Sequence, residues 1–174
     1  METLGAKWEP YRQKLLRGDV ADLDKCRILF TLAANFRQYL DEAKRALSAA
    51  PNDSRFGPYK AAIWALEAKY TPWPMDKLLH VNRATEKLDA LVARRPEDVE
   101  TRFIRAMVCH RLPAFFNRKT QAIADFEYVL KHLDRLQNPE FEAFVVEYVS
   151  EEVKPGGNLA RMLSELRAKY AVQS

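Results

Sequence analysis

The feature that most constrains the fold is a spacing of small and bulky apolar residues that recurs along the chain. The stretch QAIADFEYVLKHL aligns with NRATEKLDALVARRP so that Ala122 matches Ala84 and Phe126 matches Leu88. In both stretches a further apolar residue follows seven positions after the alanine. Positions four and seven apart share one face of a helix, so the alanine lets a neighbouring helix approach and the bulky residues fill the space beside it. The spacing therefore predicts paired helices.

A third copy, YLDEAKRALSAAP, precedes these two, and prolines mark the ends of two copies. Pro51 lies four residues after Leu47, and Pro96 lies four residues after Val92. Proline disfavours the helical conformation of the residue before it, so each proline ends one helix and allows the next pair to begin. The helices that precede two of the copies also match, each with an aromatic residue and then two small residues at steps of three: Tyr59, Ala62 and Ala65, and Phe103, Ala106 and Cys109.

Helix-breaking stretches divide the chain into about seven to eight helices. The breaks fall at Gly18 and at the stretches PND, TPWP, RRPED, RLPAFFN, QNPE and KPGGN. One start is explicit, because Asn138 can cap a helix whose first residue is Pro139. Residues 1–20 are predicted to form an N-terminal helix or arm. Residues 21–174 are predicted to form a single helical-repeat domain with C-terminal capping helices.

These patterns resemble the tetratricopeptide repeat (TPR). The matching residues are Ala84, Leu88, Leu91 and Pro96 in one unit and Ala106, Ala122, Phe126 and Val129 in the next. The resemblance implies an all-α fold in which antiparallel helix pairs stack as a short, right-handed, TPR-like solenoid. The chain is also similar to uncharacterised bacterial proteins of this degenerate type, through its patterns KAxxALxAKY…P and RFxR…LP. Pro51 and Pro96 lie 45 residues apart, against roughly 34 in the family, and the excess falls in KYTPWPMDKLLH.

Composition narrows the class of protein. The chain has 174 residues, of which 48% are hydrophobic and 30% charged, so it can bury a core. The net charge of +4 allows an acidic partner, but both signs are interspersed, so nucleic-acid binding is not expected. The sequence shows no signal-peptide pattern and no apolar run of roughly 18 residues. It predicts a cytoplasmic protein that does not bind a membrane.

Motifs for catalysis or metal binding are missing from the sequence. The three histidines form no HExxH pair, no CxxC motif exists, and no glycine-rich loop could hold a phosphate. Cys109 and His110 are neighbours, and neighbours on a helix point about 100° apart, so they are predicted to be a core cysteine beside a surface histidine. Both Cys109 and Cys26 are predicted to be buried free thiols. We expect no enzyme activity, no cofactor and no metal.

Three basic residues stand where the resemblance places a binding groove. Arg102 and Arg105 lie one turn apart, and Lys60 has nearly the same place in the preceding unit. In tetratricopeptide proteins the first helices of the units line a concave groove, where basic residues bind carboxylates of peptide partners. The resemblance implies this role for the three residues here. The alternative is a set of internal salt bridges to Glu67, Glu100 or Asp125.

Two aromatic stretches are further candidates. Trp73, between two prolines, is either a plug of the turn or an exposed anchor for a partner. Phe115 and Phe116 stand among basic residues, a pattern that can bind nucleic acid or protein. We expect these two rings to be buried under the turn between two helices.

The sequence as a whole predicts a non-enzymatic protein–protein interaction module, a TPR-like scaffold or adaptor. Its protein or peptide partner, an acidic one being allowed, binds in a concave groove through Lys60, Arg102, Arg105 and Trp73. The alternatives are a small-ligand or enzymatic domain with a pocket between helices, and a nucleic-acid binder with a basic face. Homo-oligomerisation stays open, as does occupation of the groove by the C-terminal helix.

Overall fold

The computed structural model describes residues 5–154 and 156–171. These residues are 82% helical and contain no strand, which confirms the all-α class. Nine α-helices are present in the described ranges. Their bounds are α1 Glu9–Arg17, α2 Asp22–Asn35, α3 Leu40–Ala49, α4 Gly57–Tyr70, α5 Pro74–Arg94, α6 Val99–Arg111, α7 Lys119–Lys131, α8 Pro139–Glu152 and α9 Gly157–Ala171.

The helix beyond the predicted number arises from a break that contains neither proline nor glycine. Phe36 adopts an extended conformation, with φ −133° and ψ 111°, and separates α2 from α3. Its ring packs edge-on against Trp8 at 6.2 Å and against Tyr39 at 6.5 Å between centroids. This break is therefore associated with aromatic packing rather than with a breaking residue.

The chain divides into two compact units, one ending at Lys87 and the other beginning at Leu88. In the first unit α2 packs against α3, and α4 packs against both of these helices. The rings of Phe30 on α2 and Tyr59 on α4 meet edge-on at 5.5 Å. Tyr70 at the end of α4 donates a hydrogen bond of 2.6 Å to the carbonyl of Ala33. These contacts hold three successive helices in one packed group.

The N-terminal segment packs on the first unit. Trp8, Tyr11 and Leu15 lie against the buried side chains of Ile28 and Leu32 on α2. α1 therefore belongs to the packed part of the structure, although the division of the chain at residue 20 stays a prediction.

The second unit has an aromatic centre. Its most extensive helix contact joins α6 to α7, and α9 packs against α7 and α8. Phe103 on α6 is fully enclosed and lies within 6.3 Å, between centroids, of four aromatic rings: Phe126, Phe141, Phe144 and Tyr148. At the start of α8, the side chain of Asn138 accepts a 3.1 Å hydrogen bond from the Phe141 amide, which confirms the predicted cap. The C-terminal helix is tied to the unit by Tyr170, whose hydroxyl donates a 2.6 Å hydrogen bond to Glu142.

No helix in the part of the chain that the structure describes is long and apolar enough to cross a membrane.

Candidate protein-binding surface

An apolar surface stands out at the beginning of α5. We call residues 72–79 the α5 tip, and every one of them is exposed. Trp73 exposes 68% of its surface, Met75 75%, Leu78 42% and Leu79 47%. The carbonyl of Trp73 accepts a 3.0 Å hydrogen bond from the amide of Lys77, so the tryptophan directly precedes the first turn. Trp73 is therefore exposed rather than a plug of the turn, and its role as an anchor for a partner stays a prediction.

α5 is apolar on two different faces. Val81, Ala84, Leu88 and Val92 are buried. Met75, Leu78 and Leu79 lie roughly 130° around the helix from that stripe, since an α-helix turns by about 100° per residue. The exposed leucines and methionine are therefore not an extension of the buried stripe. They form a separate apolar face that points into solvent.

The helix is supported just after the tip by a stack on α4. The half-buried ring of Trp64 lies parallel to His80, 5.3 Å away between centroids. The guanidinium of Arg83 lies over the Trp64 ring at 4.9 Å, which is a cation–π distance. His80 and Arg83 on α5 therefore both contact the Trp64 ring on α4.

The three basic residues predicted for a groove fall in different units. Lys60 is exposed on α4 in the first unit. Arg102 and Arg105 are on α6 in the second, and both contact Asp125, a carboxylate on α7 that is only 1% exposed. Arg105 forms a fork on it, with Nε 2.7 Å from Oδ2 and Nη2 3.0 Å from Oδ1. Arg102 Nη1 lies 2.8 Å from Oδ1.

The same cluster continues to a second carboxylate. Arg105 Nη1 lies 3.1 Å from Asp89 Oδ1, and Arg118 Nη1 lies 2.8 Å from Asp89 Oδ2. We call Asp89, Arg102, Arg105, Arg118 and Asp125 the ion cluster, in which Arg105 and Asp125 are buried and the other three are half-buried. Burial alone would lower the pKa of Arg105, but the hydrogen bonds and charges of Asp125 and Asp89 together outweigh it and raise the pKa above the usual value. These contacts favour the internal alternative for both arginines, while a role in partner binding stays a prediction.

The sequence missed several members of these two sites. Asp89 and the apolar triplet Met75, Leu78 and Leu79 were not singled out. Arg118 was considered only as one of the basic residues around Phe115 and Phe116. A signal existed for the triplet, because α5 carries apolar residues on more than one face. For the cluster, the signal was Asp125 standing in the apolar stripe of AIADFEYVL.

The expected burial of the two phenylalanines after α6 is wrong for one of them. Phe115 is 78% exposed, and Phe116 is half-buried beneath it, with 4.4 Å between the ring centroids. The buried side chain at this turn is Leu112. A short 3₁₀ segment ends at Asn117 with φ +54°, and this conformation goes with the outward position of Phe115.

Cys109 and His110 behave differently from one another. Cys26 and Cys109 are free and buried, as predicted. Burial raises the pKa of the Cys109 thiol to about 11. His110 is half-buried rather than on the surface, with its ring 5.9 Å from Phe126, because α6 packs along α7 there. Burial lowers the pKa of His110, which favours the neutral ring.

We expect neither cysteine to react with a thiol reagent while the protein is folded. The Cys109 thiol, with a pKa of about 11, is only about 0.1% ionised at pH 8, and only the thiolate attacks such reagents. Burial also raises the pKa of the Cys26 thiol. Ellman's reagent should titrate two thiols in the denatured protein, and it should label neither of them quickly in the folded protein. A Ser48→Cys variant, which adds a thiol at an exposed position of α3, should react at once. Fast labelling of the folded wild type would contradict the expectation.

Among the described residues, no group of three or more histidine, cysteine, aspartate or glutamate side chains could hold a metal ion. Comparison of the sequence and structure with protein-family models, curated proteins and solved structures gives no match.

Proposed function

We propose that the chain is a non-enzymatic protein–protein interaction module, a scaffold or adaptor of TPR-like type. The observation that carries this proposal is the α5 tip, where four large apolar side chains are exposed together on one short segment. Clustered apolar side chains on a surface are typical of sites that another protein covers. Tryptophan is among the residues that contribute most to such contacts.

The packing of the first unit supports the TPR-like part of the proposal. In stacked helix pairs, each helix contacts its partner and the first helix of the next pair. The contacts of α2 with α3, and of α4 with both, follow this scheme. We propose that the remaining helices continue it as a right-handed solenoid.

The arginines are the reason for placing the contact surface at the tip rather than in a groove. Arg105 is only 9% exposed and gives its donors to Asp125 and Asp89. An acidic peptide would have to compete with these carboxylates for it. The tip side chains, in contrast, already face solvent, so a partner can cover them without breaking an internal contact.

Capture from the source cells tests the proposal. A Trp73→Ser, Leu79→Ser double variant should bind its partner about 30-fold or more weakly, because truncating a hot spot costs about 2 kcal/mol or more. Phe115→Ser is the matched control, since it removes an equally exposed aromatic ring from a different turn. Circular dichroism should show that both variants are folded. Equal capture by the wild type and both variants would show that the tip is not the binding surface.

A further inference from the structure

We propose that the partner at the α5 tip is a second copy of this chain, in a twofold-symmetric pair of antiparallel α5 tips. The inference rests on the proposed function and gives its partner an identity. Two observations carry it. The apolar side chains of the tip have the spacing with which one helix packs along another. The charged residues beside them, Asp76 and Arg83, face each other across the pair only when the two helices are antiparallel.

The apolar face has the spacing of a helix–helix contact. Met75, Leu78 and Leu79 stand at positions i, i+3 and i+4, and Asn82 continues the face at i+7. This is the spacing with which one helix packs along another. In an antiparallel pair, Leu78 and Leu79 of the two copies meet near the twofold axis, and Met75 lies beside Asn82 of the second copy.

Asp76 and Arg83 make the pair directional. They are seven residues apart and lie on the same flank of the apolar face, at about 100° and 80° from Met75 around the helix. Both are exposed. Asp76 forms no ion pair or side-chain hydrogen bond with the residues that the structure describes. Arg83 contacts the face of Trp64 and forms no ion pair with those residues.

A twofold axis perpendicular to the paired helices keeps each flank on its own side and reverses the chain direction. It therefore brings Asp76 of one copy to the level of Arg83 of the other, and the symmetry forms this contact twice. The twofold axis of a parallel pair would run along the helices and would place the two Asp76–Arg83 flanks on opposite sides of the interface, where neither charge could reach its counterpart. The attraction between Asp76 and Arg83 is therefore available only in the antiparallel arrangement and favours it.

The interface is small, since each copy contributes one short segment. Small interfaces of this kind belong to weak or transient complexes. We therefore expect a monomer–dimer equilibrium in the micromolar range rather than a permanent dimer. Sedimentation velocity on the full chain, from about 1 to about 300 µM, covers this range.

Charge reversal gives the decisive test. Asp76→Arg and Arg83→Asp each replace two attractive contacts by two repulsive ones, so each variant alone should dimerise at least about tenfold more weakly. An equal mixture of the two variants should dimerise again, because each repulsive contact becomes attractive in the mixed dimer. Glu165→Arg and Arg167→Asp, two exposed positions on α9, are the matched controls and should dimerise like the wild type, alone or mixed.

Three results would overturn the inference: a wild type that stays monomeric over the whole range, a mixture that fails to recover, or a dimer that persists in the Trp73→Ser, Leu79→Ser variant. The proposed function has its own outcome. A monomeric wild type that still captures a different protein through the tip would refute the second copy and leave the interaction module standing. A wild type that neither dimerises nor captures another protein through the tip would refute both the second copy and the interaction module.

Discussion

Replacing Arg105 by methionine is expected to lower the free energy of unfolding of the second unit by about 3 kcal/mol. The change leaves Asp125, which is 1% exposed, without the two hydrogen bonds of the Arg105 fork. Arg102 keeps one contact with that carboxylate, which holds the loss near the lower end of the range for a broken buried pair. Urea unfolding followed by far-ultraviolet circular dichroism measures the effect. Tryptophan fluorescence would not, because all three tryptophans lie in the first unit.

A double variant separates the loss of a partner from the value of the pair. Arg105→Met with Asp125→Leu removes both charges and fills the space with apolar atoms, and it should recover most of the lost stability. Arg94→Ala, an exposed arginine at the end of α5, should change the free energy of unfolding by no more than about 0.5 kcal/mol. A loss below about 1 kcal/mol for Arg105→Met would mean that water solvates Asp125 adequately.

The second large effect is expected at Phe103. Its substitution by alanine should cost about 4 kcal/mol, because it removes a fully enclosed ring and leaves a cavity among the four aromatic side chains around it. The edge-on contact with Tyr148, at 5.6 Å between centroids, is lost in the same change. Urea unfolding again gives the value, and hydrogen exchange of the α6 and α7 amides should rise with it.

Phe115→Ala is the control for this measurement. It deletes the same ring at a position that is 78% exposed, and it should leave the free energy of unfolding within about 0.5 kcal/mol of the wild type. Similar losses in the two variants would show that enclosure does not account for the role of Phe103.

The helices that local signals delimit were predictable from the sequence. Proline and glycine act on their immediate neighbours, so the breaks around TPWP and QNPE could be placed without knowledge of the fold. The break at Phe36 could not be placed, because no breaking residue stands there and its ring packs against Trp8, which directly precedes α1. Breaks of this kind depend on tertiary packing rather than on local conformation.

The candidate site was predictable only in part. Two prolines restrict the backbone around Trp73, but they do not determine what its side chain meets, so burial and exposure were both open. At the arginines, the sequence offered Asp125 as one internal partner among three. It could not identify Asp89, because that carboxylate comes from α5 and meets Arg105 only when the helices have packed.

The ion cluster also has a consequence for how this protein can change over evolutionary time. Asp125 forms ion pairs with Arg102 and Arg105. Asp89 forms ion pairs with Arg105 and Arg118. Losing Asp89, Arg102, Arg105 or Asp125 leaves a buried charge, Arg105 or Asp125, short of a partner, and losing Arg118 does the same to the half-buried Asp89. Exchanging several of these side chains at once need not. The five positions therefore form one epistatic unit, and descendants of this chain should keep or replace them as a coordinated set.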